Sequence, residues 1–255
     1  MWTHRWGQVK FRMDHQAFRR DFQENGYCVA RAVFPPGEMT ELEDEFDRIA
    51  QLCKPPNEAG IISTRNVHQY SAQWMRLILD NRLLNLAEQL IGPDIVLNHT
   101  TLFQKERTNA VGPFRMHQDW SYLPTVSDTM IGAMVHVSDA TAEMGCLRVY
   151  PGSHKYGRIE NSSARDEAFH ERFPFEEATP IEARIGDLIF FHYFTVHGSV
   201  SNQSERPRKV VFVRMFSGKD RKEDPHQFTE NLVLRGWNHH ASPATTTQAV
   251  PQPST

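Results

Sequence analysis

The 255 residues carry 28 Lys and Arg against 31 Asp and Glu, a formal net charge of −3, which argues against a dedicated basic face for nucleic acid. Mean hydropathy is −0.55, and no apolar run approaches the roughly 18 residues that a bilayer-spanning helix needs. Cys28, Cys53 and Cys146 show no CxxC spacing and the N-terminal MWTHRWGQVKFR lacks the apolar core of a secretory signal, so a reduced, cytoplasmic protein is expected, with its oligomeric state left open.

Asp14 reads as the cap of a helix running to about Asn25, with Gly26 as its stop signal. A second helix is expected from Pro36. There Met39, Leu42, Phe46, Ile49 and Leu52 recur every three or four residues, while Glu41, Glu43, Asp44 and Glu45 form a solvated face. A third is expected over 72–91, ended by Gly92-Pro93. Between them, residues 54–70 are polar and proline-bearing and read as a lid or mobile loop. From Asp94 onward the pattern changes to short strands, near 95–104, 114–120, 130–138, 146–150, 187–196 and 209–216. Residues 108–113 and 151–180 would connect them, the second being long enough to cover a site. The Ala-, Thr-, Pro- and Ser-rich tail over 238–255 lacks core residues and reads as disordered. The expectation is a single α+β domain over 1–237. It has a helical part at 14–92 and a mainly β core at 94–219, built as a sandwich or jelly roll.

The chemistry concentrates at His117-Gln118-Asp119, followed much later by His197 and then Arg208. On an extended strand residues i and i+2 share a face, so His117 and Asp119 converge while Gln118 turns aside. Alone this signal is weak: the chain has 13 histidines, and a surface His-x-Asp pair is the plainer reading. His197, at the end of the apolar run from Leu188, is equally a satisfied core histidine. Two imidazoles and a carboxylate suit one face of an octahedral metal whose other face stays open, the pattern of non-haem Fe(II) oxygenases. A zinc hydrolase uses a similar donor set and is the competing enzyme class, but it gives Arg208 no task. A non-catalytic cupin-like binding domain is the third reading. His99 and Gln104, upstream on a strand expected to line the pocket, are candidate polar contacts. Arg214 shares the strand phase of Arg208 and so could face the cavity and contact an anionic substrate, with a surface salt bridge as its default role. His136, His154 and His192 read as structural. No glycine-rich nucleotide cradle is present in the sequence.

The segments Met116–Asp119, Gly145–Lys155, Gly186–His192, His197-Gly198-Ser199, Asn202 and Arg208, in this order, resemble the phytanoyl-CoA dioxygenase family of Fe(II)/2-oxoglutarate oxygenases. The likeness spans roughly residues 14–219. It implies a double-stranded β-helix (a cupin-like jelly roll) with N-terminal helices packed on it. It further implies Fe(II), 2-oxoglutarate and O2 as cofactor and cosubstrates, with His117, Asp119 and His197 as iron ligands and Arg208 as the carboxylate anchor. An arginine suits that task because its planar fork binds a carboxylate through two parallel hydrogen bonds. Ser199 would share the same carboxylate, a local turn hydroxyl being the alternative. Met134 stands where many relatives place a tryptophan beside the cosubstrate. The implied reaction is hydroxylation of an unactivated C–H bond in a small molecule, with release of succinate and CO2. Desaturation, epoxidation or ring formation by the same site are the alternatives. Asp119 argues against halogenation, because chloride would need its coordination position. No CoA-binding signature accompanies these motifs, so acyl-CoA specificity does not follow from the family's name.

Overall fold

The computed structural model describes residues 14–53, 55, 60–107, 114–163, 166–224 and 231–241; the expected connection at 108–113 and residues 242–255 of the tail lie outside them. Helix α1 (His15–Asn25) starts as expected. The Asp14 carboxylate accepts from the backbone N–H groups of Gln16 and Ala17, and Gly26 closes the helix at φ 79°. Any side chain at Gly26 would also strike the His154 ring and the Thr195 hydroxyl. Helix α2 (Pro36–Ala50) buries Met39, Leu42, Phe46 and Ile49, while Leu52 lies beyond its end and is exposed. A short helical turn, α3 (Val67–Tyr70), follows. The single helix expected over 72–91 is instead two, α4 (Ala72–Ile78) and α5 (Asn81–Ile91). The break falls at Asp80, whose side chain accepts from the Arg82 N–H and so caps a new helix in the middle of the apolar pattern.

Two antiparallel sheets make up the rest. The larger runs in the order β1 (Tyr27–Ala30), β8 (Leu188–His192), β5 (Ile131–His136), β10 (Arg208–Ser217), β3 (Ile95–Lys105) and β11 (Val233–Arg235), with β2 (Ile61–Arg65) paired to the other end of β3. The smaller runs β4 (Phe114–His117), β9 (His197–Ser199), β6 (Leu147–Val149) and β7 (Thr179–Ile181). The larger sheet is covered by the helices on one face. Val211, Val213 and Met215 of β10 join Leu102, Ile131, Ala133 and Val135 in the core that also holds Phe18, Phe46, Trp74 and Leu83. The alternate residues Val210, Phe103, Met134 and Ile189 belong to a second cluster between the sheets, with Phe212 packed against it. This is the β-rich α+β roll with N-terminal helices that the sequence led us to expect.

Several boundaries differ from expectation, each for a local reason. Residues 187–196 are not one strand: β8 ends at His192, the chain turns, and β9 begins at His197 in the opposite sheet. Of the expected lid or mobile loop at 54–70, residues 54 and 56–59 lie outside the described residues, and the described stretch 61–65 is not a free loop. β2 pairs with β3 from Ile61↔Lys105 to Arg65↔Thr101, so its backbone groups are spent on the sheet edge. The 151–180 connection carries a 3-10 turn at Ser153–Tyr156 and α6 (Glu167–Arg172). Its Phe169 and Phe173 pack with Met116, so it buttresses β4, and none of its described residues lines the central cavity. Residues 238–241 stay attached: His239 hydrogen-bonds the Asp94 carboxylate at 2.8 Å and His240 the Lys219 carbonyl at 2.9 Å.

Candidate active site

The two histidines meet because β4 and β9 are neighbours, with His117 directly opposite His197 in the ladder and ring centroids 4.3 Å apart. Gly198 permits this crossing, since a Cβ there would stand 2.6 Å from the Phe114 carbonyl oxygen. Asp119 is not on the strand. It opens a 3-10 turn (Asp119–Ser121), and only Gln118 between it and His117 stays extended. The turn brings the Asp119 Oδ1 to 3.5 Å from His117 Nε2 and 3.8 Å from His197 Nε2. All three potential donor atoms lie within 4.8 Å of one another, and all three residues are buried.

The neighbours of these groups decide their chemical form. His117 Nδ1 donates to the Arg115 carbonyl and His197 Nδ1 to the Thr195 carbonyl, both at 2.8 Å. A carbonyl accepts only, so each neutral ring keeps its lone pair on Nε2, facing Asp119. Burial, and then His117, push His197 down to about 4, outweighing the attraction of Asp119. Burial alone would raise the Asp119 carboxyl, but Arg214 first, then His197 and His117, outweigh it and hold the group well below the usual carboxylate range. Gln118, fully buried, fastens the segment. Its Nε2 donates to the carbonyls of Phe194 and Gly157, and its Oε1 accepts from Trp120 Nε1 and the Ile159 N–H.

A cavity of about 510 Å³ between the sheets contains this cluster. His99, Met134, Ser199, Arg208 and Arg214 all line it, as does the β2 segment Ser63-Thr64-Arg65. Gln104 does not. It pairs with Lys209 in the ladder, and its amide donates to Glu106. His99 and Gln104 are an odd number of residues apart, so on a regular strand they point to opposite faces, and only one of them can reach the cavity. His99 is pushed down to about 3 by burial, then by Arg214 and Arg65, and is a neutral wall residue. His136, His154 and His192 hydrogen-bond the carbonyls of Asp187, Gln23 and Asp128, in keeping with packing roles.

Arg208 is 2% exposed, and among the described residues no carboxylate pairs with it. It donates from Nη1 to the Gly145 carbonyl, its Nε has no hydrogen-bond partner, and burial pulls it down to about 10, still charged at neutral pH. Beside it lies a residue that the sequence reading missed. Lys105 is 1% exposed; its Nζ donates to Ser199 Oγ at 2.7 Å and to the Val200 carbonyl at 2.6 Å. Burial first, then Arg208, push this amine down to about 6. Its signal was the same strand parity that excludes Gln104: 99, 101, 103 and 105 share the inner face.

Comparison with known proteins bears on the family and the fold. The family model described as phytanoyl-CoA dioxygenase (PhyH) matches residues 22–210. Human peroxisomal phytanoyl-CoA dioxygenase is 26% identical over 242 residues, covering 80% of this chain and 70% of the human protein. Ectoine dioxygenase of Nocardia farcinica is 23% identical over 238 residues, covering 82% and 78%. Among solved structures, the epimerase SnoN in complex with Fe3+, α-ketoglutarate and nogalamycin RO superposes with a TM-score of 0.74 at 22% identity, covering 88% of this chain and 96% of that one. The carbocyclase SnoK superposes at 0.73 with 20% identity, covering 87% and 93%. With most of its length matched by the family model, the chain belongs to the phytanoyl-CoA dioxygenase family.

Proposed function

We propose that this chain is a non-haem Fe(II)- and 2-oxoglutarate-dependent dioxygenase that hydroxylates an unactivated C–H bond of a small organic molecule, releasing succinate and CO2. One observation carries the reading. The cavity that holds the His117–Asp119–His197 cluster also holds Arg208, a buried guanidinium that no carboxylate among the described residues neutralises. A buried cation without a counter-charge is costly, and a carboxylate-bearing cosubstrate supplies the missing partner. A zinc hydrolase would explain the cluster but not this cation.

The donor set fits Fe(II): two neutral imidazole Nε2 atoms and one carboxylate oxygen, each oriented from behind by hydrogen bonds. Iron bound there, with 2-oxoglutarate and O2, supplies the oxidising power for C–H cleavage. The protein does the rest. Arg208 offers its unpartnered Nε and its charge to the distal carboxylate of the cosubstrate. Ser199 Oγ already accepts from Lys105, so its own O–H is left to donate toward the same carboxylate. Met134, Phe103, Phe212 and Leu147 make the neighbouring walls apolar and keep the site dry. Phe114, Tyr122 and Leu123 extend that apolar lining, which favours a substrate presenting hydrocarbon to the metal. Three free thiols suit a reducing, cytoplasmic setting, and among the described residues no helix is long and apolar enough to cross a membrane.

The test is direct. Protein reconstituted anaerobically with Fe(II) should develop the visible charge-transfer absorption of a chelated 2-oxo acid. Exposure to O2 with a panel of small substrates should then release succinate and add sixteen mass units to one of them. Absence of any Fe(II)-dependent 2-oxoglutarate binding would overturn the assignment. A main product two mass units lighter would replace hydroxylation with desaturation or ring closure at the same site.

A further inference from the structure

We infer that Arg214 is a positioning residue that restricts Asp119 to one-oxygen ligation of the metal; the inference rests on the iron-site reading above. Arg214 Nε and Nη2 both donate to the same oxygen, Asp119 Oδ2, at 3.1 and 2.7 Å. The other oxygen, Oδ1, is the one turned toward His117 Nε2 and His197 Nε2. The carboxylate is thus divided, one oxygen held by the guanidinium and one presented to the cluster.

Arg214 is held for this task. It lines the cavity, and its side chain is only 13% exposed, so the surface salt bridge expected of it is instead an internal one. Its guanidinium lies over the Phe212 ring, with Cζ 4.9 Å from the centroid. The β3–β10 ladder runs regularly up to Arg214↔His99 and shifts register between Arg214 and Met215. A bulge at that point re-aims the strand locally, which is how side chains beside active sites are often directed.

The consequence follows from counting positions on an octahedral ion. Two histidines and one carboxylate oxygen occupy three, leaving three open. A carboxylate free to chelate would take a fourth and compete with a bidentate 2-oxo acid. Among ordinary side chains only arginine offers a planar fork able to engage one oxygen through two N–H groups; lysine brings the charge without the fork.

The experiment uses the full-length protein loaded with Ni(II), which is redox-inert here, and titrates 2-oxoglutarate by calorimetry. Wild-type protein should bind one nickel and one 2-oxoglutarate; failure of either would refute the iron-site reading itself, and this inference with it. Arg214→Met should keep its nickel but bind 2-oxoglutarate about tenfold more weakly, and Arg214→Lys should lose about threefold. If Arg214→Met does not fold, the Lys variant carries the test alone. A purely structural Arg214 would lower the melting temperature of both variants and leave the 2-oxoglutarate affinity within twofold of wild type, which would overturn the inference. Loss of nickel from both variants would also overturn it, by showing that the cation is needed for metal retention rather than to restrict the carboxylate.

Discussion

Arg208→Met separates a carboxylate anchor from a structural arginine, because its effects on cosubstrate and on fold are expected to diverge. A charge-assisted hydrogen bond contributes roughly 1.5–3 kcal/mol, so losing a paired contact should cost about 3–4 kcal/mol of 2-oxoglutarate binding, a rise in Kd of more than a hundredfold. Stability should respond differently. Burial pulls Arg208 well below the ordinary guanidinium range, to about 10. A base whose folded pKa is depressed holds its proton less tightly when folded, so the charge opposes folding at every pH below that value. That difference corresponds to roughly 3 kcal/mol, a cost that the neutral methionine removes. Against it, the Gly145 carbonyl loses its donor, a penalty of about 1–3 kcal/mol. The net is about 0–2 kcal/mol in favour of methionine, and since about 1 kcal/mol moves Tm by about 2–4 °C in a domain of this size, the protein without cosubstrate should melt no lower than wild type and up to several degrees higher. Calorimetric titration of the Ni(II)-loaded variant and a thermal scan of the metal-free protein supply both readings. A variant that melts about 8 °C lower yet binds 2-oxoglutarate normally would refute the anchor and make Arg208 a scaffold residue.

Lys105, held down to about 6, is mostly neutral near pH 7.5 until a carboxylate arrives at Ser199 and draws a proton onto it. Titrating 2-oxoglutarate in phosphate and in Tris should therefore reveal uptake of about one proton by wild type and none by Lys105→Met; equal uptake in both would assign the proton elsewhere. Gln118→Leu strips partners from two carbonyls and one backbone N–H around the His-x-Asp segment, so we expect a loss of roughly 3–5 kcal/mol by denaturant titration and weakened nickel retention. Gly198→Ala drives a methyl toward the Phe114 carbonyl and should loosen metal binding more than it lowers Tm, as read by competition with a chelator. With true substrate, O2 and excess chloride, wild-type product should gain oxygen rather than chlorine, because Asp119 as a ligand would fill the position that chloride needs; a chlorinated main product would refute this.

How much of this was legible in the sequence depended on the range of the signal. The caps at Asp14 and Gly26 and the stripe from Met39 to Ile49 are local, and they read correctly. Asp80 was missed because one polar residue inside an apolar pattern outweighs the pattern only when the chain really turns there. β1, β2, β7 and β11 are short edge or near-edge strands, and their pairing partners, not their composition, make them strands. The same limit applied to the site. His117, Asp119, His197 and Arg208 could be named from motif order, yet the reason first given for pairing His117 with Asp119 was incomplete. A shared strand face does not bring them together; a 3-10 turn does, with Gln118 locked behind it. Strand parity, applied to β3, would have rejected Gln104 and drawn attention to Lys105.

The charge layout of the cavity ties these details to an order of events. Asp119, the only acid among the described lining residues, is already matched by Arg214, whereas Arg208 and its neighbour Lys105 have no acidic partner among the described residues. A divalent cation at the cluster adds positive charge to a wall that already carries an excess of it. On the proposed reading, the 2-oxoglutarate dianion would offset that excess at both ends, through its 2-oxo acid at the metal and its distal carboxylate at Arg208. Cosubstrate and metal should thus each favour the other, while a substrate without negative charge gains nothing from the deep end and is left to the apolar wall of Phe103, Phe114 and Phe212. The division follows from which face of β10 each side chain occupies. Arg208, Phe212 and Arg214 share the inner face at even spacing, so on the proposed reading one strand would carry the carboxylate anchor, an apolar contact surface and the group that orients the metal's acid.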